Sequence, residues 1–378
     1  MINDKKWIGS PMTDGTTRRK FLKNSAATAI GASAVISGLD WQKAEAAEEP
    51  VLNAFLLSGY HEEGMLTKFE QDTGIKVNLK TGKGHEEMFA AIQNSPPGTF
   101  DVSSVTSAYI QQAAKGGHLM ALDENRLPLD KYMPPFDKWP LNYWNNKPYA
   151  LVNRFGYYGL TYNTNHLTSE ECQSYDILFD KKLKGKIALF DWFLPIMGVI
   201  GRYCGFEDPY VLNDAQLAEV KKKLFELRPQ IGLIGNNAQT IGGLASQSYW
   251  VTIAGEWVQA GLADDGHPYA AVLPKEGGVT WDQSVVVLKN AKHPSNAMKF
   301  IDYVAGPHFQ AKLAVANVYY SMVPNRDAVD KLSMEHRKLL NLEDPAKFQR
   351  EYLSRLAPRK FPPNVEAWKA IWAEFKAA

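Results

Sequence analysis

Ten side chains of this sequence have the chemistry of a site that holds a small polar molecule. They are short hydroxyls, aromatic rings, carboxylates, one amide and one guanidinium, at predicted strand ends or turns: Ser58, Tyr60, Thr106, Arg154, Asp191, Trp192, Glu256, Trp281, Asp282 and Gln283. Hydroxyls and helix N-terminal amides bind polar or anionic groups, aromatic rings cover apolar carbons, and buried carboxylates pair with ammonium groups. The set predicts binding without a covalent step.

The residues Trp281, Asp282 and Gln283 lie between a Gly-Gly turn at 277–278 and a Val-rich run at 284–288. The turn indicates a loop, and the apolar run is typical of a strand buried on both faces. We therefore expect a loop that lines a ligand pocket and leads into a strand joining two domains. The alternative is an ordinary surface loop before a core strand.

Three charged residues of the set each have two interpretations. Asp191 and Glu256 end predicted strands, where a carboxylate can receive an ammonium group or cap the following helix. Arg154 is a permanently charged fork in a short apolar neighbourhood. Such a side chain can bind a ligand carboxylate or form an ion pair at a hinge, and the sequence leaves both open.

The sequence gives little support for catalysis. Its eight histidines have no zinc-ligand spacing, and it has no Gly-x-Ser-x-Gly turn. We expect no metal and no cofactor, and an exported hydrolase assembled from distant segments is the alternative. The two cysteines, Cys172 and Cys204, could form one disulfide in an oxidising compartment or remain two buried thiols.

These residues must be positioned by alternating strands and helices. Strands are predicted over 51–57, 75–79 and 100–102, each followed by a helix, and further strands over 185–189 and 250–254. Such alternation predicts an α/β fold with mainly parallel sheets and a ligand site at the carboxyl ends of the strands. A length of 378 residues predicts two domains.

The first 46 residues have the features of an export signal. Arg18 and Arg19 form a twin-arginine pattern, which precedes a weakly apolar run at 26–39 and a small-x-small site ending at Ala46. We expect the twin-arginine (Tat) translocase to export the chain to the periplasm, with the signal removed near Ala46. This segment has a net charge of +3, which leaves about −2 for the rest, so no nucleic-acid surface is expected.

Several short motifs resemble those of periplasmic substrate-binding proteins of ABC importers, and most closely the spermidine/putrescine-binding family. The most specific is Pro-Lys-Glu-Gly-Gly at 274–278 followed by Trp281, and the others are Thr-Gly-Ile-Lys-Val at 73–77, Phe-Asp-Val at 100–102, Arg-Phe-Gly at 154–156, Leu-Lys-Gly-Lys at 183–186 and Val-Pro-Asn at 323–325. The resemblance covers essentially the whole mature chain. It implies the type II two-lobed fold, with lobe 1 over 47–154 and 282–325 and lobe 2 over 155–281 and 326–378.

The same resemblance implies the site and the partners. Ser58, Tyr60, Thr106 and Trp281 match family contacts, whereas two expected carboxylate positions hold Trp192 and Pro195 and a third holds Gln283. Asp191, Glu256 and Asp282 each lie one position away. The family role implies a carrier that closes over a small solute and delivers it to a permease with its ATPase. We expect a polyamine-like amine or an amino acid derivative, or alternatively an opine-like or other carboxylated solute paired with Arg154.

Overall fold

The computed structural model describes residues 48–62, 64–82, 84–316 and 320–378. The predicted export signal over 1–46 lies outside these residues. The strands are β1 (Val51–Leu57), β2 (Lys76–Gly82), β3 (Val102–Val105), β4 (Tyr143–Trp144), β5 (Lys147–Pro148), β6 (Ala150–Tyr158), β7 (Leu160–Asn163), β8 (Ile187–Phe190), β9 (Ile231–Gly235), β10 (Val251–Thr252), β11 (Tyr269–Val272), β12 (Gly278–Val287) and β13 (Leu356–Ala357).

The α-helices alternate with the strands over 51–115, as the sequence predicts, whereas the five over 294–351 follow one another with no strand between them among the described residues. They are α1 (Met65–Thr73), α2 (His85–Asn94), α3 (Ile110–Lys115), α4 (Phe193–Tyr203), α5 (Asp214–Leu227), α6 (Asn237–Ala245), α7 (Glu256–Asp264), α8 (Pro294–Ala305), α9 (Pro307–Ala314), α10 (Arg326–Val329), α11 (Met334–Leu339), α12 (Pro345–Glu351) and α13 (Val365–Ala377). Most of them start at recognisable signals. A capping box of Asn213 and Gln216, for example, begins α5.

Two sheets organise the fold into two lobes. The first has the strand order β13-β12-β3-β1-β2, and β6 also pairs with β12. The second has the order β11-β7-β10-β8-β9. Parallel pairs such as β1 with β2 and β8 with β9 form part of each sheet, and antiparallel pairs such as β12 with β6 complete it. The predicted α/β class with two lobes is confirmed, with sheets of mixed direction.

The chain passes twice between the two sheets, next to the residues predicted to form the site. The chain leaves the first sheet at the end of β6 to form β7 in the second, and it returns between β11 and β12. A third segment bridges β6 through the pairing of Phe155 with Met322. The two passages lie between Tyr158 and Leu160 and between Val272 and Gly278. The crossings expected near 154–156, 274–288 and 323–325 and the lobe boundaries stay predictions.

The apolar residues predicted to face the core do so. Trp368, Ile371, Trp372 and Phe375 of α13 are buried in a hydrophobic cluster of the second lobe, as their helical spacing indicates. A separate cluster in the first lobe includes Val105 and Val286. Phe361 packs against both clusters. It therefore contacts both lobes.

One element differs from its prediction in a way that matters for the site. Residues 278–283, expected as a loop, begin β12, all ten residues of which are buried. The reason is that β6 pairs with this segment along its length, a long-range contact that a Gly-Gly pair does not reveal.

The two cysteines form no disulfide with each other: both are free thiols, with Cys172 buried and Cys204 half-buried. Among the described residues, no helix is both long and apolar enough to span a bilayer.

Candidate functional site

The pairing of β6 with β12 determines which side chains share a face. Arg154 lies opposite Gln283, Gly156 opposite Trp281, and Phe155 opposite Asp282. Because side chains alternate along a strand, Trp281 and Gln283 point to one face and Asp282 points to the other. The predicted trio is therefore divided between two environments.

Arg154 is fully buried and has partners within the protein. Its Nε donates to Oε1 of Gln283 at 2.7 Å, and its Nη2 donates to the carbonyl of Ser58 at 3.2 Å. The guanidinium also lies 5.1 Å from the ring centre of Tyr60, within cation–π range. Gln283 thus orients Arg154, and both tie β12 to the end of β1.

Asp282 belongs to a hydroxyl network of the first lobe. Its Oδ2 accepts hydrogen bonds from the backbone amide of Ser107 at 2.9 Å and from the hydroxyls of Ser107 and Ser284. Burial raises the pKa of this carboxyl above its usual range, and the bonds from Ser107 and the charge of Arg359 limit the rise. These bonds hold the segment after β3 against β12.

Glu256 is a buried carboxyl group that lies, like the Trp281 indole, against Gly156. It starts α7, is 0% exposed, and its Oε2 accepts a hydrogen bond from the backbone amide of Tyr157 at 3.3 Å. Its Oε1 has no hydrogen-bond partner among the described residues. A side chain at Gly156 would collide with both this oxygen and the Trp281 indole. Burial raises the pKa of Glu256 well above its usual range.

Three aromatic residues extend this face towards the second lobe. Trp281 meets Trp257 edge-on at 6.4 Å between ring centres, and Trp257 meets Tyr158 in the same way at 6.2 Å. All three rings are at most 9% exposed. Aromatic rings are the side chains that can cover a methylene chain, so this row is a candidate wall for one.

Trp192 lies where the lobes meet. Its ring stacks against that of His85, the first residue of α2, at 6.4 Å between centres, and the Arg359 guanidinium lies 4.2 Å from its centre. His85 Nδ1 accepts the backbone N–H of Thr106 at 3.1 Å. Burial and the charges of Arg359 and Arg154 lower the pKa of His85 to about 3, so its ring is neutral at physiological pH.

The other predicted residues lie in more than one place. Tyr60 and Thr106 are buried at strand ends of the first lobe, where Tyr60 donates to Oδ1 of Asn153 at 2.7 Å. Ser58 is half-buried and contributes its carbonyl to Arg154. Asp191 is exposed, and α13 engages both of its carboxylate oxygens through Trp372 Nε1 and Lys376 Nζ. Which of the ten bind a ligand stays a prediction.

Sequence reasoning did not single out His85 or Arg359 for this site. Arg359 follows β13 in a Pro-flanked Arg-Lys-Phe segment, and β13 reaches β12 by a parallel pairing of Gly278 with Leu356. Neither residue can be assigned to the site from the sequence alone, because strand pairing brings it there. In the described part of the chain, no group of three or more His, Cys, Asp or Glu side chains is placed to hold a metal ion.

Curated proteins that the chain resembles are named as polyamine-binding proteins. The chain is 27% identical over 284 residues to the spermidine/putrescine-binding periplasmic protein 1 of Haemophilus influenzae, which covers 73% of this chain and 76% of that protein. It is 26% identical over 330 residues to the spermidine/putrescine-binding periplasmic protein of Escherichia coli, which covers 84% and 87%.

Solved structures share the fold, and a family model covers most of the chain. A spermidine/putrescine substrate-binding protein of Streptococcus pneumoniae is 21% identical, with a TM-score of 0.74 over 86% of this chain and 98% of that one. A putative spermidine/putrescine ABC transporter protein of Listeria monocytogenes is 24% identical, with a TM-score of 0.72 over 87% and 99%. The sequence model of the family of bacterial extracellular solute-binding proteins matches residues 64–338 of this chain. The chain therefore belongs to the bacterial extracellular solute-binding protein family.

Proposed function

We propose that this chain is the solute-binding component of an ABC importer and that its lobes close over a small polar organic solute carrying an ammonium group. The observation that carries the proposal is the Glu256 carboxyl, which is wholly buried beside Trp281 with Oε1 unbonded among the described residues. The names of the relatives, which bind spermidine and putrescine, support an amine.

The physical chemistry of Glu256 favours a cationic partner. A buried carboxylate that lacks partners is costly, and an ammonium group removes that cost by forming a charge-assisted hydrogen bond. Such a bond contributes about 1.5–3 kcal/mol, a substantial share of the roughly 8 kcal/mol that a micromolar affinity represents. The adjacent rings of Trp281 and Trp257 would cover the carbon chain of the solute.

The family role extends the proposal to location and partners. We propose that the Tat translocase exports the chain to the periplasm, that the signal is removed near Ala46, and that the loaded protein delivers its solute to a permease with its ATPase. In this role the chain is a carrier, not a catalyst. Relatives named as periplasmic binding proteins support the location.

Isothermal titration calorimetry of refolded, ligand-free protein tests the proposal. The panel contains putrescine, cadaverine, spermidine, agmatine, 4-aminobutanoate, ornithine, lysine and arginine. We expect at least one of these amines to bind with a stoichiometry of one. Trp281→Ala should weaken that binding at least about tenfold, because the ring and its apolar surface are lost.

The matched control is Trp250→Ala, which truncates a tryptophan that stacks on His166 in the second lobe. This variant should bind like the wild type. Heats of dilution alone for every compound would contradict the proposal. Binding that Trp281→Ala leaves unchanged would instead place the solute elsewhere.

A further inference from the structure

Arg359 is a buried cation at the boundary between the lobes. It is 2% exposed, and its guanidinium lies 4.2 Å from the ring centre of Trp192 and 5.8 Å from that of Tyr158. Its Nη2 donates to the Thr106 hydroxyl of the first lobe at 3.1 Å. Two residues further on, Phe361 packs against the hydrophobic clusters of both lobes. The position of Arg359 is thus fixed from both sides.

The guanidinium is incompletely satisfied there. Arg359 Nε and Nη1 are buried and have no hydrogen-bond partner among the described residues. An arginine has five N–H donors, and a buried charged group is normally paired or fully hydrogen-bonded.

Asp282 does not supply the missing anion. The charge of Arg359 acts on this carboxyl, yet the two form no ion pair in the described structure. Asp282 Oδ2 is instead bound by Ser107 and Ser284, and its Oδ1 makes no hydrogen bond to the described residues. Because no described acceptor reaches Nε or Nη1 of Arg359, these donors are open to a group from outside the chain.

We propose that Arg359 binds a carboxylate of the solute, so that the transported compound is an amino acid derivative and not a simple di- or polyamine. This inference rests on the proposed function, because it assigns a binding residue to the other end of the solute whose ammonium group we place at Glu256. The planar fork of a guanidinium matches the two oxygens of a carboxylate. A polyamine would instead bring a further positive charge next to Arg359.

The arrangement of opposite charges fits a solute with both groups. Glu256 lies against Gly156 and Trp281, while Arg359 lies over Tyr158 and Trp192. The rings of Trp281, Trp257 and Tyr158 form the row between them. An ammonium group at Glu256 and a carboxylate at Arg359 would place the carbon chain along these rings.

The test compares compounds that differ by a carboxylate on the wild type and on Arg359→Gln. The pairs are ornithine with putrescine, lysine with cadaverine, and arginine with agmatine, and 4-aminobutanoate is a single-carboxylate reference. We expect the tightest ligand of the wild type to carry a carboxylate and to bind about 10- to 100-fold more tightly than the amine without it. Arg359→Gln should abolish that preference, and the control Arg126→Gln, at an exposed ion pair with Asp302, should retain it.

Each outcome decides between the two proposals. If an amine without a carboxylate binds the wild type as tightly as its partner, the assignment of Arg359 is overturned while the amine-binding function stands. A preference for the carboxylated compound that survives in Arg359→Gln overturns it as well. If no compound binds, both proposals fail.

A second variant, Arg359→Lys, keeps the test decisive if Arg359→Gln does not fold. Arg359→Lys keeps the positive charge but loses the fork, so we expect it to fold and to retain a reduced preference for the carboxylated partner. Thermal unfolding of each variant identifies those that fold. Should only the lysine variant fold, a preference equal to that of the wild type would overturn the role of the guanidinium.

Discussion

The buried polar residues on the paired strands and around them differ in how fully the protein satisfies them. Arg154, Gln283 and Asp282 make hydrogen bonds that hold the strands together. Oε1 of Glu256, Nε and Nη1 of Arg359 and Oδ1 of Asp282 are buried without a hydrogen-bond partner among the described residues. Because an unsatisfied buried group destabilises the folded chain, its presence indicates that something other than folding requires it.

The first prediction concerns the loss of folding stability that the buried Glu256 carboxyl causes. Its pKa is raised in the folded protein, so folding loses stability as the pH rises above the normal pKa of a glutamate. Glu256→Gln removes this loss and should stabilise the ligand-free protein more at pH 8 than at pH 5, by at most about 1.4 kcal/mol per pH unit. The same variant should weaken amine binding about 10- to 100-fold.

Urea unfolding at the two pH values, together with calorimetry, measures both effects. The control is Glu226→Gln, at an exposed pair with Lys223 on α5. A stability difference for Glu256→Gln that is the same at both pH values would contradict the assigned burial cost.

The second prediction concerns His85. Its pKa of about 3 lies below the normal value of 6.5, so the unfolded chain binds a proton that the folded chain excludes. Stability should therefore fall as the pH decreases from 6.5 towards 3, by at most about 1.4 kcal/mol per pH unit from this residue. His85→Gln should flatten the dependence of the free energy of unfolding on pH, and the exposed control His61→Gln should not. Parallel profiles of His85→Gln and wild type in urea unfolding would refute this explanation.

At the scale of elements, the close contact of β6 with α7 depends on Gly156. A Cβ at this position would collide with Glu256 and Trp281. Gly156→Ala should therefore destabilise the protein by about 1–3 kcal/mol and weaken solute binding. Gly242→Ala is the control, because this exposed position in α6 has open space and alanine favours a helix by up to about 1 kcal/mol. Equal unfolding midpoints for the two variants would contradict the crowding argument.

The elements also show what sequence patterns can and cannot predict. The apolar stripe of Trp368 to Phe375 and the Val-rich part of β12 were predictable, because local spacing reports burial. The faces of Trp281 and Asp282 were not, since 278–283 looked like a loop and its partner strand lies more than a hundred residues away. Arg359 was missed for the same reason: only the pairing of β13 with β12 brings it to Trp192.

On the scale of the whole molecule, contacts outside the crossing strands also join the lobes. His85 and Trp192 stack across the boundary, Arg359 reaches Thr106, and Phe361 packs on both sides. A solute bound between Glu256 and Arg359 would add to these contacts. Solute binding should therefore favour the closed arrangement, since a ligand shifts the population towards the state it binds more tightly.

Small-angle X-ray scattering with and without a saturating amount of the tightest ligand found by calorimetry tests this central claim most directly. We predict that the radius of gyration of the wild type decreases on binding and that Trp281→Ala shows no decrease at the same ligand concentration. Scattering profiles that superimpose although calorimetry shows full occupancy would contradict closure of the lobes over a bound solute.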